Sequence, residues 1–206
     1  MTAVSAGFPE PASPLAGALV RLEPLSPAHL GGLQDAVDDG RVWDRWYTSV
    51  PRPEDMAAEI ERRLALKADG EMVPFVAVRQ DTDEVLGMTA FVDIDASVPR
   101  LEIGYTWNRA SAHGTGTNAE SKLLLLAYAF ETWGAECVTL RTSWANQQSR
   151  EAIARLGARQ DGVLRGQRRL KSGELDDVVV FSILKHEWPS VKHRLQWRLR
   201  ERTPSA

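Results

Sequence analysis

A glycine-rich turn stands directly before the most apolar helical segment of the chain, and this pairing constrains the fold more than any other feature. The turn, Gly114-Thr115-Gly116-Thr117-Asn118, follows a strand-like segment, RLEIGYTWN, and precedes a segment that contains LLLLAYAF. A helix that is apolar on nearly every face has to lie between other layers of structure. The unpaired N–H groups at its start favour phosphate, and glycines let a phosphate approach the backbone. The sequence predicts either a phosphate site here or a plain strand-to-helix turn.

Two common nucleotide-binding motifs do not explain the turn. The Walker pattern G-x-x-x-x-G-K-[ST] is absent from the sequence. The dinucleotide pattern is nominally met by Gly114, Gly116 and Ala119. However, the next strand ends Arg141-Thr142-Ser143-Trp144, without the acid that would bind a ribose. Hairpin-connected strands before the turn also contradict a βαβ start, so a nicotinamide site is disfavoured.

The rest of the pattern predicts a mixed α/β domain whose front half is antiparallel. Gly104 interrupts a strand, which indicates a bulge or a close backbone approach, and Gly157 is placed to end a helix. The predicted strands cover 18–25, 73–79, 85–93, 100–108, 137–142 and 178–184, and a further strand is expected in the basic stretch before the turn at 171–174. The predicted helices cover 27–39, 53–70, 119–133, 146–156 and 191–202.

Length and composition fit one domain, which we place at 18–202 of the 206 residues. The segment 1–17 carries Pro9, Pro11 and Pro14 and is expected to be a flexible lead-in, with 203–206 as a tail. The net charge of −3 argues against broad nucleic-acid binding. The single cysteine, Cys137, excludes an intramolecular disulfide, and no cysteine–histidine cluster has metal-binding spacing. No apolar run is long enough to span a membrane, so we expect a cytoplasmic protein.

Four segments together resemble the GNAT superfamily of N-acetyltransferases, in particular its branch related to ribosomal-protein-serine acetyltransferases. They are LEIGYTW, HGTGTN, ESKLLLLAYAFE and NQQSREAIARLGA. The likeness extends over about 19–199. It implies a mainly antiparallel twisted sheet flanked by helices, with two central strands splayed to form an acyl-CoA cleft. It also implies acetyl transfer from acetyl-CoA to a primary amine by direct attack, without a covalent enzyme intermediate and without a metal.

The resemblance also implies which residues hold coenzyme A. The loop binds the pyrophosphate through backbone N–H groups, and the splayed strands hold the pantetheine arm, with Leu140 to Ser143 on the far side. The bulge at Gly104 polarises the thioester carbonyl, an oxyanion-hole role. The loop residues are His113, Gly114, Thr115, Gly116, Thr117 and Asn118, and the near-strand residues are Ile103, Gly104, Tyr105, Thr106 and Trp107.

The sequence departs from the family pattern at two positions. Ser111 stands where an arginine or glutamine usually begins the phosphate loop, and Ile153 stands where many members carry a proton-donating tyrosine. Asn146 is expected to cap a helix, with Ser149 adding a reciprocal bond. By resemblance, Asn146 also contacts the pantetheine arm and Ser149 is a candidate proton donor to the thiolate.

An amine must lose a proton before it attacks a thioester. Glu102, two residues before Gly104, is the candidate base, with an exposed strand carboxylate as the alternative. Lys122 is either a phosphate partner or part of a solvated helix surface. The aromatic connector residues Trp43, Trp46 and Tyr47 either wall the acceptor pocket or pack into the core.

Several alternatives stay open at this point. The acceptor is either a protein N-terminus or a small amine, and the acyl group is either acetyl or a larger one such as succinyl. A non-catalytic module that binds coenzyme A on the same scaffold is the alternative from another class of protein. We expect no nucleic-acid or membrane partner, and a homodimer is compatible with the sequence.

Overall fold

The computed structural model describes residues 8, 10–11 and 13–202, and within them the chain forms eight strands and five α-helices. The strands are β1 (Leu15–Ala16), β2 (Val20–Pro24), β3 (Met72–Arg79), β4 (Val85–Asp95), β5 (Arg100–Asn108), β6 (Cys137–Ser143), β7 (Arg159–Arg169) and β8 (Leu175–Leu184). The α-helices are α1 (Leu30–Asp38), α2 (Met56–Ala68), α3 (Thr117–Ala127), α4 (Gln147–Leu156) and α5 (Trp188–Arg202).

All eight strands belong to one sheet of order β1-β2-β3-β4-β5-β6-β8-β7. Neighbouring strands are antiparallel except for β5 and β6, which run parallel. This parallel pair forms because the chain crosses over through α3 between the two strands. The predicted mixed, mainly antiparallel sheet is confirmed, and the basic stretch before the turn at 171–174 is strand β7.

Helices cover both faces of the sheet, and each face has its own apolar core. The core under α1 and α2 includes Leu33, Val37, Met56 and Ile60, at helical spacing, with Met88 and Trp107 from the sheet. The core under α3, α4 and α5 includes Leu125, Leu126, Ile153, Leu156, Val191 and Leu195. Strands β4 and β5 lie between the two cores, so side chains on either face of these strands meet different helices.

The helix after the glycine turn differs from its predicted bounds at both ends. It begins at Thr117, two residues early, because Gly116 adopts a left-handed φ of 98° and serves as the N-cap. After Ala127 it widens into a π-helical turn over Tyr128–Trp133, where Phe130 stacks on Trp188 with ring centroids 5.4 Å apart. The last helix begins at Trp188, three residues before its predicted start.

The expected flexible lead-in over 1–17 is wrong for the part of it that the structure describes. Strand β1 pairs with β2, and the buried ring of Phe8 contacts Phe91, Tyr128 and Trp133 at centroid distances of 5.1–5.9 Å. The prolines in this segment favoured disorder, but burial of the Phe8 ring among aromatic side chains stabilises an ordered position. The expected tail at 203–206 lies outside the described residues.

The start of β2 is fastened to α3 by a buried carboxylate. Glu120, in the first turn of α3, accepts hydrogen bonds from the backbone N–H groups of Ala18, Leu19 and Val20 at 2.9, 2.7 and 2.8 Å. Three donors satisfy a carboxylate that water barely reaches. The N-terminal strand and the helix that follows the glycine turn are therefore held together.

Candidate active site

The two parallel strands at the centre of the sheet separate part-way along their length. Pairing between β5 and β6 joins Arg100, Leu101 and Glu102 to Cys137, Val138 and Thr139. Beyond Glu102, β5 continues to Asn108 and pairs only with β4 among the described strands, while β6 continues to Ser143 and pairs with β8. The predicted splay is confirmed, and it leaves two strand edges facing each other across a gap.

The bulge predicted at Gly104 is present on the near side of this gap. Gly104 pairs with Ala90 and Trp107 with Met88, so β5 carries one more residue than β4 between these two pairs. Tyr105 takes up the extra length with a left-handed φ of 52°. A bulge turns backbone groups away from the ladder, here beside the gap.

The glycine loop opens onto the same gap. Gly114 and Gly116 both have left-handed φ values, 80° and 98°. The first N–H groups of α3 have no acceptor inside the helix, and the cleft is lined by His113, Gly114, Gly116, Asn118 and Ala119 from this segment. The loop therefore presents a helix N-terminus to the cleft.

The two threonines of the loop stabilise it internally. Thr115 Oγ1 donates to the carbonyl of Ala112 at 2.7 Å and lies 3.0 Å from Thr117 Oγ1. Ser111, in place of the usual arginine or glutamine, donates from Oγ to Asp39 at 2.5 Å. Hydrogen bonds from Arg109 and Ser111 lower the pKa of Asp39. Ser111 thus anchors the loop to the end of α1.

Lys122 is buried, so the prediction of a solvated helix surface is wrong. The residue is 5% exposed, and its Nζ donates to Thr106 Oγ1 at 2.6 Å and to Thr89 Oγ1 at 3.2 Å. Burial lowers the pKa of Lys122 to about 7. Lys122 lines the cleft, but its amino group is bound to the sheet, because α3 turns this position towards β4 and β5.

Glu102 lies at the fork where β5 and β6 part. Its side chain is 12% exposed and forms an ion pair with Arg141, whose Nε lies 3.2 Å from Glu102 Oε2. Burial raises the pKa of Glu102; Arg141 opposes this shift, and the negative charge of Asp93 adds to it. Arg141 also contacts Asp93, at 3.2 Å. The alternative of an exposed strand carboxylate is wrong, and Glu102 has the raised pKa expected of a general base.

Asn146 and Ser149 occupy the first turn of α4, on the far side of the gap. Asn146 is the N-cap, and its Oδ1 accepts from the backbone N–H of Ser149 at 3.0 Å, as predicted. The predicted reciprocal bond is wrong, because the backbone N–H of Asn146 donates to the carbonyl of Ser143 at 3.0 Å. Both residues line the cleft, as does Ile153, which stands in place of the usual tyrosine. Cys137, at the start of β6, is half-buried, and burial raises the pKa of its thiol, which disfavours a nucleophilic thiolate.

The three aromatic residues of the connector have different positions. Tyr47 lines the cleft, whereas Trp43 packs against the core under α1 and α2, between the guanidinium groups of Arg41 and Arg52. Trp46 is 60% exposed and lies in a separate shallow depression beside Trp144. The ring of Trp46 contacts that of Tyr47, with centroids 5.6 Å apart. Of the two alternatives, packing into the core therefore fits Trp43, and a position at the wall of the cleft fits Tyr47.

The connector also touches the β7–β8 hairpin, which closes one side of the cleft. Arg168 donates to the carbonyl of Tyr47 at 3.3 Å, and Lys171 donates to the carbonyl of Val50 at 3.1 Å. The resulting cleft has a volume of about 1690 Å³. Pockets for one small molecule are typically about 300–1,000 Å³, so this cleft is larger than a typical single-ligand pocket.

Two arginines at the cleft were missed by sequence reasoning. Arg141 bridges Glu102 and Asp93, and Arg63 is 2% exposed on α2 beside Tyr105. The sequence carries a signal for Arg63: it falls on the buried stripe of α2 that Met56 and Ile60 define. A charged residue on such a stripe is a candidate for a functional site.

Two absences concern the described residues alone. Within 8, 10–11 and 13–202, no group of three or more histidine, cysteine, aspartate or glutamate side chains is arranged to hold a metal ion. None of the helices formed by these residues combines the length and apolar character needed to cross a bilayer.

Known proteins match both the sequence and this geometry. The family model described as an acetyltransferase (GNAT) domain matches residues 20–159. An uncharacterised N-acetyltransferase p20 from Bacillus licheniformis is 31% identical over 142 residues, which are 69% of this chain and 77% of that protein. A GCN5-related N-acetyltransferase from Brucella melitensis is 25% identical with a TM-score of 0.82, covering 95% of this chain and 88% of its own.

One structural neighbour was determined with a coenzyme bound. The RimL ribosomal L7/L12 alpha-N-protein acetyltransferase, determined in complex with coenzyme A, has a TM-score of 0.71 over 84% of this chain and 98% of its own. At 18% identity this likeness concerns the fold. The sequence matches carry the assignment: the chain belongs to the GNAT family and is an acetyl-CoA-dependent N-acetyltransferase.

Proposed function

We propose that the chain transfers acetyl from acetyl-CoA to a primary amine by direct attack, with Glu102 as the general base. The observation that carries this proposal is the position of Glu102 at the fork of the splayed strands, two residues before the bulge. Its burial and raised pKa suit a carboxylate that removes a proton near neutral pH.

The donor set of the cleft fits coenzyme A. The N-terminus of α3, with Gly114 and Gly116, would hold the diphosphate, since backbone N–H groups and the helix dipole favour an anion. The facing edges of β5 and β6 would hold the amides of the pantetheine arm as an added strand does. Acetyl-CoA supplies the thioester carbonyl that the amine attacks.

The reaction then needs three contributions from this chain. Glu102 accepts the proton of the incoming ammonium, which frees the nitrogen lone pair. Backbone N–H groups at Gly104 and Tyr105 stabilise the oxyanion that forms as the C–N bond is made. The C–S bond breaks, Ser149 donates its hydroxyl proton to the leaving thiolate, and the second proton of the nitrogen passes to Ser149, so that an amide and a free thiol result. Glu102 then releases its proton to solvent.

Release of free thiol tests this function directly. The protein is incubated with acetyl-CoA and a panel of amines that includes peptides, amino acids and polyamines, and the acetylated acceptor is identified by mass spectrometry. We expect thiol release above the rate without acceptor for at least one class of amine. Calorimetric binding of coenzyme A without acceptor-dependent release across the panel would contradict the proposal.

A further inference from the structure

Two adjacent arginines on α2 share a single carboxylate beside the bulge. Glu59 accepts from Arg63 Nε at 2.7 Å and from Arg62 Nε, also at 2.7 Å. Burial would raise the pKa of Glu59, but the hydrogen bonds from the two arginines outweigh it and lower the pKa. Two guanidinium charges against one carboxylate leave one positive charge without a counterion.

Arg63 is the member of this net-positive group that water barely reaches, and Glu59 pairs only with its Nε. The side chain of Arg62 is 46% exposed, whereas that of Arg63 is 3% exposed. Nη1 of Arg63 is buried and has no hydrogen-bond partner among the described residues. Burial also lowers the pKa of Arg63, which reports the cost of a poorly solvated charge. A buried donor on a charged group is expensive unless a partner is supplied.

Arg63 lies close to the reacting centre. Its Nη2 is 3.5 Å from the carbonyl oxygen of Tyr105, and its guanidinium carbon is 5.5 Å from the centre of the Tyr105 ring. Tyr105 directly follows Gly104 in the bulge, and Arg63, Tyr105 and Glu102 all line the same cleft. A group bound by Arg63 would therefore sit next to an amine that approaches Glu102.

We propose that Arg63 binds a carboxylate of the acceptor, so that the preferred substrate is an amine carrying a carboxylate within a few bonds of its nitrogen. This inference rests on the proposed function. A carboxylate supplies the missing negative charge and accepts from the planar guanidinium in the geometry that suits both groups. A free amino acid offers its α-carboxylate, and a peptide with an acidic first residue offers a side-chain carboxylate.

Further positively charged side chains, of the same sign as Arg63, lie at the outer rim of the cleft. Arg45, Arg169 and Lys171 line the cleft and donate to neutral partners: the Gln148 side chain and the carbonyls of Gly173 and Val50. No carboxylate lies within 4 Å of these three side chains in the described part of the chain. The positive rim stands out on a chain of net charge −3, and it would attract an anionic acceptor.

Matched acceptor pairs test the inference. Each pair consists of a carboxylate acceptor and its neutral carboxamide: an amino acid with its amide, and a peptide beginning with glutamate with one beginning with glutamine. We expect kcat/KM to favour the carboxylate member by about 10- to 100-fold, the range for a hydrogen bond to a charged group. The pair with the larger preference shows which source of carboxylate the site accepts.

Variants at two positions of the same helix assign the preference to one residue. Arg63→Met should abolish it, Arg63→Lys should restore part of it, and Arg62→Met, which alters the same Glu59 cluster from its solvent side, should retain it. The ratio within a pair does not depend on how much enzyme is folded, so a purely structural role of Arg63 would leave the ratio unchanged.

Failure of this inference and failure of the proposed function give different results. Equal rates for both members of every pair in the wild type, with thiol release intact, overturn the inference and leave the proposed function standing. If Arg63→Met slows both members of a pair equally, Arg63 supports Tyr105 and does not contact the acceptor, which also overturns the inference. Absence of thiol release with any amine rejects the proposed function itself.

Discussion

The two walls of the cleft differ in the partners of their buried charged side chains. On the α2 side of the sheet, Glu102 and Arg63 are buried charges with partners of opposite sign, Arg141 and Glu59. On the α3 side, Lys122 is buried among threonine hydroxyls, and no carboxylate pairs with it among the described residues. The pKa values shift accordingly: burial raises that of Glu102 and lowers that of Lys122 to about 7.

This difference separates the tasks of the two walls. On the α2 side, two arginines share the single carboxylate of Glu59, and this excess of positive charge suits recognition of an anionic acceptor. The α3 side offers backbone N–H groups at a helix N-terminus, which suit a diphosphate without matching its charge one for one.

The largest effect is expected from replacing the proposed base, Glu102, on the α2 side of the cleft. Glu102→Gln should lower kcat by about 100-fold or more, the usual contribution of general base catalysis, with little change in the KM for acetyl-CoA. Since the base must be unprotonated, kcat/KM of the wild type should fall as the pH drops through the raised pKa of Glu102.

Asp93→Asn is the matched control for this prediction. It removes the other carboxylate that contacts Arg141. The loss of this negative charge should move the acid limb of the profile to lower pH while kcat stays near that of the wild type. Wild-type turnover by Glu102→Gln would remove Glu102 from the mechanism.

A smaller effect is expected from Lys122, in stability rather than turnover. Its pKa is about 7 in the folded protein and about 10.4 in an unfolded chain. The unfolded state therefore binds more protons above pH 7, and the free energy of unfolding should rise by about 2 kcal/mol between pH 7 and 9 from this group. Chemical denaturation of Lys122→Met should lack this rise.

Lys185→Met provides the comparison, because Lys185 is half exposed and paired with Glu136. Its pH dependence should match that of the wild type. A Lys122→Met variant with the wild-type slope would show that the amino group is solvated and would erase the contrast between the walls.

The smallest effect concerns the glycine loop. Gly114 and Gly173 both have positive φ values, and a Cβ at either would meet no heavy atom within 4 Å. Alanine at each should cost about 1 kcal/mol of stability through backbone strain. Only Gly114→Ala should also weaken the binding of coenzyme A, because the added methyl group holds the phosphate away from the backbone. We expect an about 10-fold higher dissociation constant, measured by calorimetry. Equal affinities for the two variants would place the diphosphate elsewhere.

Features with a local cause were predictable from the sequence. The bulge at Gly104, the Asn146 cap and the left-handed Gly157 each follow from the preferences of one residue in its own segment. The order of strands and helices, together with the family motifs, was enough to predict the splayed sheet. The position of Glu102 at the cleft was predictable because it is defined relative to the bulge.

Features set by distant contacts were not predictable. Lys122 is buried because Thr89, 33 residues earlier, lies opposite it. The ring of Phe8 is held by aromatic residues more than 80 positions away. Trp43 and Trp46 belong to the same aromatic segment of the sequence, but they contact different residues in the structure. In each case the environment arises from packing between elements, which a local pattern does not contain.

The carboxylate of Glu120 has a practical consequence for how the protein is handled. It accepts hydrogen bonds from three consecutive backbone N–H groups at the start of β2. A fusion partner or affinity tag joined upstream is therefore connected through these bonds to the first turn of α3. Strain from a bulky attachment there would be transmitted to the helix end that faces the cleft. Probes and surface tethers are therefore better attached beyond α5.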